Sequence, residues 1–215
     1  MKIVSFEGID GAGKTTQTRL QYDRLEQEGL SVGVYSYSNK NNRWGRIIRR
    51  MYTLDAPTPF DWFFRRRGVQ EVLYSLSARH NLKESGLSGR DVVISDRSIV
   101  TAYASHIDQV PEWFISFVEP SFVPNLVVFL DVQPQVGLER ISGRDQKFKD
   151  EDLESLIKFR NLYMRIMFDK RPRKLEQTEF VVVDAARSLE EVTAEVTALL
   201  DKKVVHKLKS RMHKQ

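Results

Sequence analysis

Eight residues near the start of the chain carry the strongest chemical signal. Gly8-Ile-Asp-Gly-Ala-Gly-Lys-Thr15 satisfies the pattern G-x-x-x-x-G-K-[ST] at every fixed position. Glycines at that spacing let the backbone fold into a nest of N–H groups around phosphate oxygens. A helix starting just after the nest would add its positive end. Lys14 then reaches the β- and γ-phosphates of a nucleoside triphosphate, and the Thr15 hydroxyl suits Mg²⁺. The expected ATP-binding set is Gly8, Ile9, Asp10, Gly11, Ala12, Gly13, Lys14, Thr15 and Thr16. Asp10 is unusual there, because a carboxylate opposes the charge of a bound phosphate. It is easier to explain if it faces a second substrate. A second pair, Asp96-Arg97, follows an apolar run. Arg97 offers a planar fork for a second phosphate, and Asp96 a carboxylate that holds Mg²⁺ through water.

Residues so placed need a scaffold that delivers them to one edge. Five apolar, β-branched runs qualify as strands: Ile3–Phe6, Val32–Tyr37, Val92–Ser95, Leu126–Val132 and Phe180–Val183. Near-continuous apolar character fits parallel strands covered on both faces. Helical patterns separate them at Lys14–Gln27, Trp44–Tyr52, Trp62–Ser85, Val100–Asp108, Gln133–Ile141, Glu151–Lys170 and Leu189–Lys209. The alternation predicts an α/β fold, a doubly wound five-stranded parallel sheet flanked by helices, with ligands at the carboxyl ends of its strands.

The 215 residues suffice for one α/β domain with a substantial core. No internal repeat or low-complexity linker divides them, so residues 1–215 are expected to form a single domain. The polar stretch Ser142–Asp152 is expected to move, as a short lid near residues 141–152. With no cysteine, disulfides and thiolate metal sites are excluded. No leader opens the chain and no uncharged apolar run approaches a membrane span, which predicts a cytoplasmic protein. The net charge of +5 and a pI near 9.4 invite a nucleic-acid reading, yet lysines and arginines serve polyphosphate ligands equally well. The basic tail Lys202–Gln215 reads as a solvated, fraying helix end.

The wider phrase Phe6-Glu-Gly-Ile-Asp-Gly-Ala-Gly-Lys-Thr-Thr-Gln17 resembles the opening of thymidylate kinases, a family of P-loop nucleoside monophosphate kinases. The resemblance continues in order through Asp96-Arg97, Pro124-Asn-Leu-Val-Val-Phe-Leu-Asp131, Gly137-Leu-Glu-Arg140, Arg160-Asn-Leu-Tyr163 and Val183-Asp184-Ala185. It implies transfer of the γ-phosphoryl group of Mg-ATP to dTMP, by a homodimer, with the stretch Trp62–Phe64 available for an interface. It also implies roles. Lys14 and a lid arginine, Arg144, would stabilise the transferring charge, with Lys147 as the alternative cation. Arg97 and Lys40 would hold the acceptor phosphate, Tyr37 would lie near its sugar or base, and Arg79 would meet the pyrimidine edge. Arg140 would flank the adenine or the γ-phosphate, and Asp10 would accept from the sugar 3′-hydroxyl. Thr101 and Tyr103 complete the expected substrate set. Thr101 stands for the family's serine, and Tyr103 lies two positions before the usual place of an aromatic that blocks a ribose 2′-hydroxyl; Ser105 occupies that place. Ser75 stands where the family stacks an aromatic on the base, and Ser98 replaces an aromatic or histidine. These departures predict an acceptor range broader than dTMP or shifted from it. Two rival readings remain: a kinase for another nucleoside monophosphate or a nucleoside, and a P-loop switch protein docking nucleic acid through Arg65-Arg-Arg67 and the tail.

Overall fold

The computed structural model describes residues 1–37, 42–53, 67–106, 108–119, 122–143 and 152–212. Its strands are β1 (Lys2–Glu7), β2 (Val32–Ser36), β3 (Val92–Asp96), β4 (Leu126–Asp131) and β5 (Glu179–Asp184). Its helices are α1 (Lys14–Gln27), α2 (Arg43–Thr53), α3 (Arg67–Glu84), α4 (Ile99–His106), α5 (Glu112–Val118), α6 (Pro134–Ser142), α7 (Leu153–Phe168), α8 (Leu189–Leu200) and α9 (His206–Met212). All five strands run parallel in the order β2-β3-β1-β4-β5. The α/β architecture read from the sequence is therefore present, and β1, which leads into the phosphate loop, lies at the sheet's centre.

Alternation along the strands explains why both faces are covered. On β4, Leu126, Val128 and Leu130 enter one core, while Val127 and Phe129 enter the other. On β3, Val92 and Ile94 face the first core and Val93 the second. The first core gathers Leu25 of α1 with Val192, Val196 and Leu200 of α8. The second gathers Ala78 of α3, Tyr103 of α4, Ile115 of α5 and Ile166 of α7. Each such side chain contributes about 1.5–3 kcal/mol when fully buried.

Helix α1 buries polar residues, and its partners explain how. Gln17 and Gln21 donate to Thr193 and Thr197 of α8 at 2.9 and 3.0 Å, so an amide–hydroxyl ladder replaces an apolar stripe. Helix α8 opens with a capping box between Ser188 and Glu191.

Three expectations need correcting. Helix α5 was not foreseen; its seven residues follow Pro111 and pin only Ile115 in the core. The expected helix Leu189–Lys209 is interrupted by a π-helical turn at Asp201–Val205 and resumes to Met212. The tail is not simply solvated either. Val204, Val205 and Leu208 are buried in the first core, so its lysines ride on an amphipathic segment. Of the expected helix Trp62–Ser85, the part before Arg67 lies outside the described residues, as do the Trp62–Phe64 stretch and residues 144–151 of the lid. No helix among the described residues is long and apolar enough to cross a membrane.

Candidate active site

The turn between β1 and α1 has the backbone that its glycines suggest. Gly11 takes φ +84° and packs against α6, where a Cβ would come within 2.3 Å of Gly137 O. Gly13, at φ +91°, caps α1. Lys14, the first residue of the helix, folds back over the loop. Its Nζ donates to Ile9 O at 2.7 Å and lies 3.5 Å from Asp10 Oδ1. Burial, then the charge of Arg97, lowers the Lys14 ammonium to about 8, with Asp10 and Asp96 pulling the other way. Next in the chain, Thr15 donates through Oγ1 to Asp96 Oδ2 at 2.6 Å. The hydroxyl and the carboxylate expected near Mg²⁺ are thus adjacent, and both are hard oxygen donors of the kind this cation takes.

Arg97 follows β3 directly and has φ +66°, a left-handed conformation that costs a non-glycine residue about 1–2 kcal/mol. Two bonds hold it there: Arg97 N donates to Phe6 O at 3.1 Å, and the Ser95 hydroxyl donates to Arg97 O. The guanidinium turns to the phosphate loop. It pairs with Asp10 Oδ1 and donates to Gly8 O at 3.3 Å and Tyr163 Oη at 3.2 Å. Although burial opposes its charge, Asp10, Tyr163, Asp96 and Glu7 more than offset this, so Arg97 stays cationic.

Beside Arg97 lies a fully buried carboxylate that the sequence reading did not single out. Glu7 accepts from the hydroxyls of Ser5 (2.8 Å), Ser98 (2.7 Å), Thr101 (2.7 Å) and Tyr163 (3.2 Å). Burial raises its carboxyl above the ordinary value, against the pull of the Ser98, Thr101 and Ser5 hydroxyls and of Arg97. A carboxylate closing the strand that leads into the phosphate loop was the signal available. Thr101, expected at the substrate, belongs to this cluster, with its hydroxyl also 2.8 Å from Tyr163 Oη. Ser98 is buried in it as well, which accounts for a small polar residue at that position.

The other expected residues divide. Arg140 bridges Ala185 O (2.9 Å) and Gly11 O (3.3 Å), tying the loop to the end of β5. Arg160 of the Arg160–Tyr163 phrase makes a bidentate pair with Asp131 at 2.7 and 2.8 Å. Tyr37 is buried; its backbone N donates to Asp96 O (3.1 Å) and its hydroxyl to Glu119 Oε1 (2.6 Å). Arg79 is exposed and donates to Val118 O at 2.9 Å. Tyr103 lies on α4. It has no exposed surface, and its hydroxyl, 2.7 Å from Ser116 Oγ, joins α4 to α5. Ile9 and Ala12 are buried under the loop, whereas Thr16 is exposed. Lys40, Arg144 and Lys147 lie outside the described residues.

Comparison with known proteins fits this arrangement. The profile of the family described as thymidylate kinase matches residues 6–196. A probable thymidylate kinase of Thermococcus onnurineus is 29% identical over 207 residues, covering 92% of this chain and 96% of that protein. One of Methanothermobacter thermautotrophicus is 30% identical over 203 residues, covering 92% and 93%. A thymidylate kinase of Geobacillus thermodenitrificans is 30% identical over 207 residues, covering 90% and 87%.

Proposed function

This chain belongs to the thymidylate kinase family, and from that premise we propose that its site passes the γ-phosphoryl group of ATP to dTMP, giving dTDP and ADP. One observation carries the assignment of roles: Arg97 and Lys14 converge on Asp10, from the end of β3 and the start of α1. Two anions must approach in line for phosphoryl transfer, so cations must face both. Lys14 serves the donor and Arg97 the acceptor. In the free protein Asp10 holds both cations; once phosphates arrive, its carboxylate is available to a sugar hydroxyl. The acceptor is already an ionised phosphate, so no general base is required of these residues.

Thr15 and Asp96 would hold Mg²⁺, which neutralises charge on the β- and γ-phosphates when bound. Arg140 would stand at the adenine side, from its bond to Ala185 O. Arg144 remains our choice for the lid cation and Lys40 for the second grip on the acceptor, with residues 141–152 closing as a lid over one domain. We take the working form to be a cytoplasmic homodimer, a choice that rests on the family alone.

The experiment is ADP release with dTMP, dUMP, dCMP, UMP and dGMP as acceptors. ADP is expected to appear with dTMP and to vanish in Lys14→Ala. ATP hydrolysis indifferent to every acceptor would overturn the reading.

A further inference from the structure

Helix α7 meets the sheet through two polar side chains one turn apart. Arg160 donates from Nε and Nη2 to the two oxygens of Asp131, the last residue of β4, at 2.7 and 2.8 Å. Tyr163 Oη donates to Glu7 Oε2 at 3.2 Å, accepts from Arg97 Nη1 at 3.2 Å and lies 2.8 Å from Thr101 Oγ1. Residues three apart share a helix face, so one face of α7 spans the carboxyl ends of β4, β1 and β3.

The contacts differ in kind. Leu156, Ile166 and Met167 bury α7 against the two cores, but apolar burial is non-directional and lets a helix slide or roll by small amounts. The Arg160–Asp131 fork is charge-assisted and bidentate, which fixes direction as well as distance. The Tyr163 bonds to Arg97 and Glu7 sit at the long end of the hydrogen-bond range, so they are the first lost if α7 shifts. Those bonds matter for Arg97. Its Nη2 pairs with Asp10, while its Nη1 is held by Gly8 O and Tyr163 Oη. When a phosphate displaces Asp10, the Nη1 contacts keep the plane of the guanidinium in place.

We propose that Arg160 is a positioning residue for phosphoryl transfer: anchored on Asp131, it sets the slide and roll of α7 and so holds the Tyr163 hydroxyl against Arg97. The inference rests on the kinase reading above, in which Arg97 grips the acceptor phosphate. Arg160 acts through Tyr163, and the acceptor side of the site is the side that feels its loss. What Arg97 loses is orientation rather than charge, because Asp10, Asp96 and Glu7 still favour its cationic form.

The test is a double-mutant cycle in the full chain, with steady-state kinetics on ATP and dTMP and thermal melts to confirm folding. Arg160→Met and Tyr163→Phe are each expected to raise the KM for dTMP about tenfold and to change the KM for ATP less than about twofold. The double variant is expected to match Tyr163→Phe alone, because without the hydroxyl Arg160 has nothing left to position. Asp131→Asn, which weakens the fork but leaves Arg160 in place, is expected to act in the same direction as Arg160→Met. Arg160→Lys keeps the charge without the fork and is expected to recover only part of the loss. If Arg160→Met does not fold, Asp131→Asn and Arg160→Lys carry the same cycle. Effects that multiply in the double variant would overturn the proposal, as would an equal rise in both KM values or an unchanged KM for dTMP in Asp131→Asn. Any of these in a protein that uses dTMP would overturn the role of Arg160 alone. An unaltered protein inert toward every monophosphate would overturn the kinase reading itself.

Discussion

Asp10 and Arg97, 87 residues apart in the chain, form an ion pair at the mouth of the phosphate loop. The arginine proposed to grip the acceptor is thus already desolvated, oriented and charged before any ligand binds. A fork set in this way loses little freedom when a phosphate replaces the carboxylate. Arg97→Lys keeps the charge and gives up the two-pronged geometry. It is expected to lower kcat/KM for dTMP by about 100-fold while changing the ATP affinity less than about threefold. Steady-state kinetics with either substrate varied will check this.

The buried ammonium of Lys14 gives a pH signature. Its folded value is about 8 against an ordinary 10.5, so between these limits the unfolded chain binds more protons than the folded one. Stability contributed by this group therefore rises with pH through that window, and its cost is fully present below about 8. Lys14→Met is expected to raise stability by up to about 3 kcal/mol at neutral pH, a gain that fades toward pH 10.5. Urea melts at several pH values measure it. Polyphosphate restores the charged form, so ATP binding slightly above pH 8 should take up a proton. Calorimetry in buffers of different ionisation enthalpy would register that uptake.

Glu7 is expected to hold the fold together beneath Arg97. Glu7→Ala strands the hydroxyls of Ser5, Ser98, Thr101 and Tyr163 and leaves a cavity beside Arg97. A loss of about 3 kcal/mol follows, lowering Tm by roughly 6–12 °C for a chain of this size. Ser98→Ala, which removes one of those donors, should cost about 1–2 kcal/mol. Differential scanning calorimetry separates the two.

Gly137 should behave as part of the phosphate loop although it lies on α6. A Cβ there would meet Asp10 O at 2.8 Å, so Gly137→Ala must push the loop outward. The expected outcome is a folded protein whose KM for ATP rises about tenfold. Gly11→Ala should be worse, because it adds the strain of φ +84° to a closer clash. Equilibrium ATP binding by both variants will show the order.

What the sequence determined by itself was local. A loop of glycines ending in Lys14-Thr15, the helix behind it and strands with apolar faces depend on neighbours within a few residues, and all are present at close to their expected bounds. Asp96-Arg97 was legible as a pair for the same reason. The tertiary structure decided which groups meet. Glu7 and Tyr163 are 156 residues apart, and Tyr37 and Glu119 are 82 apart. Those contacts exist because β3 and β4 both flank β1, while β2 lies beyond β3. No spacing along the chain encodes that order. It likewise moved Tyr103 into the core, where α5 offers Ser116, and buried part of a tail that its lysines made look solvated. Short-range patterns fix secondary structure and loop chemistry; burial and long-range hydrogen bonds are properties of the assembled sheet, and through them Arg97 acquires its charge, its direction and its partners.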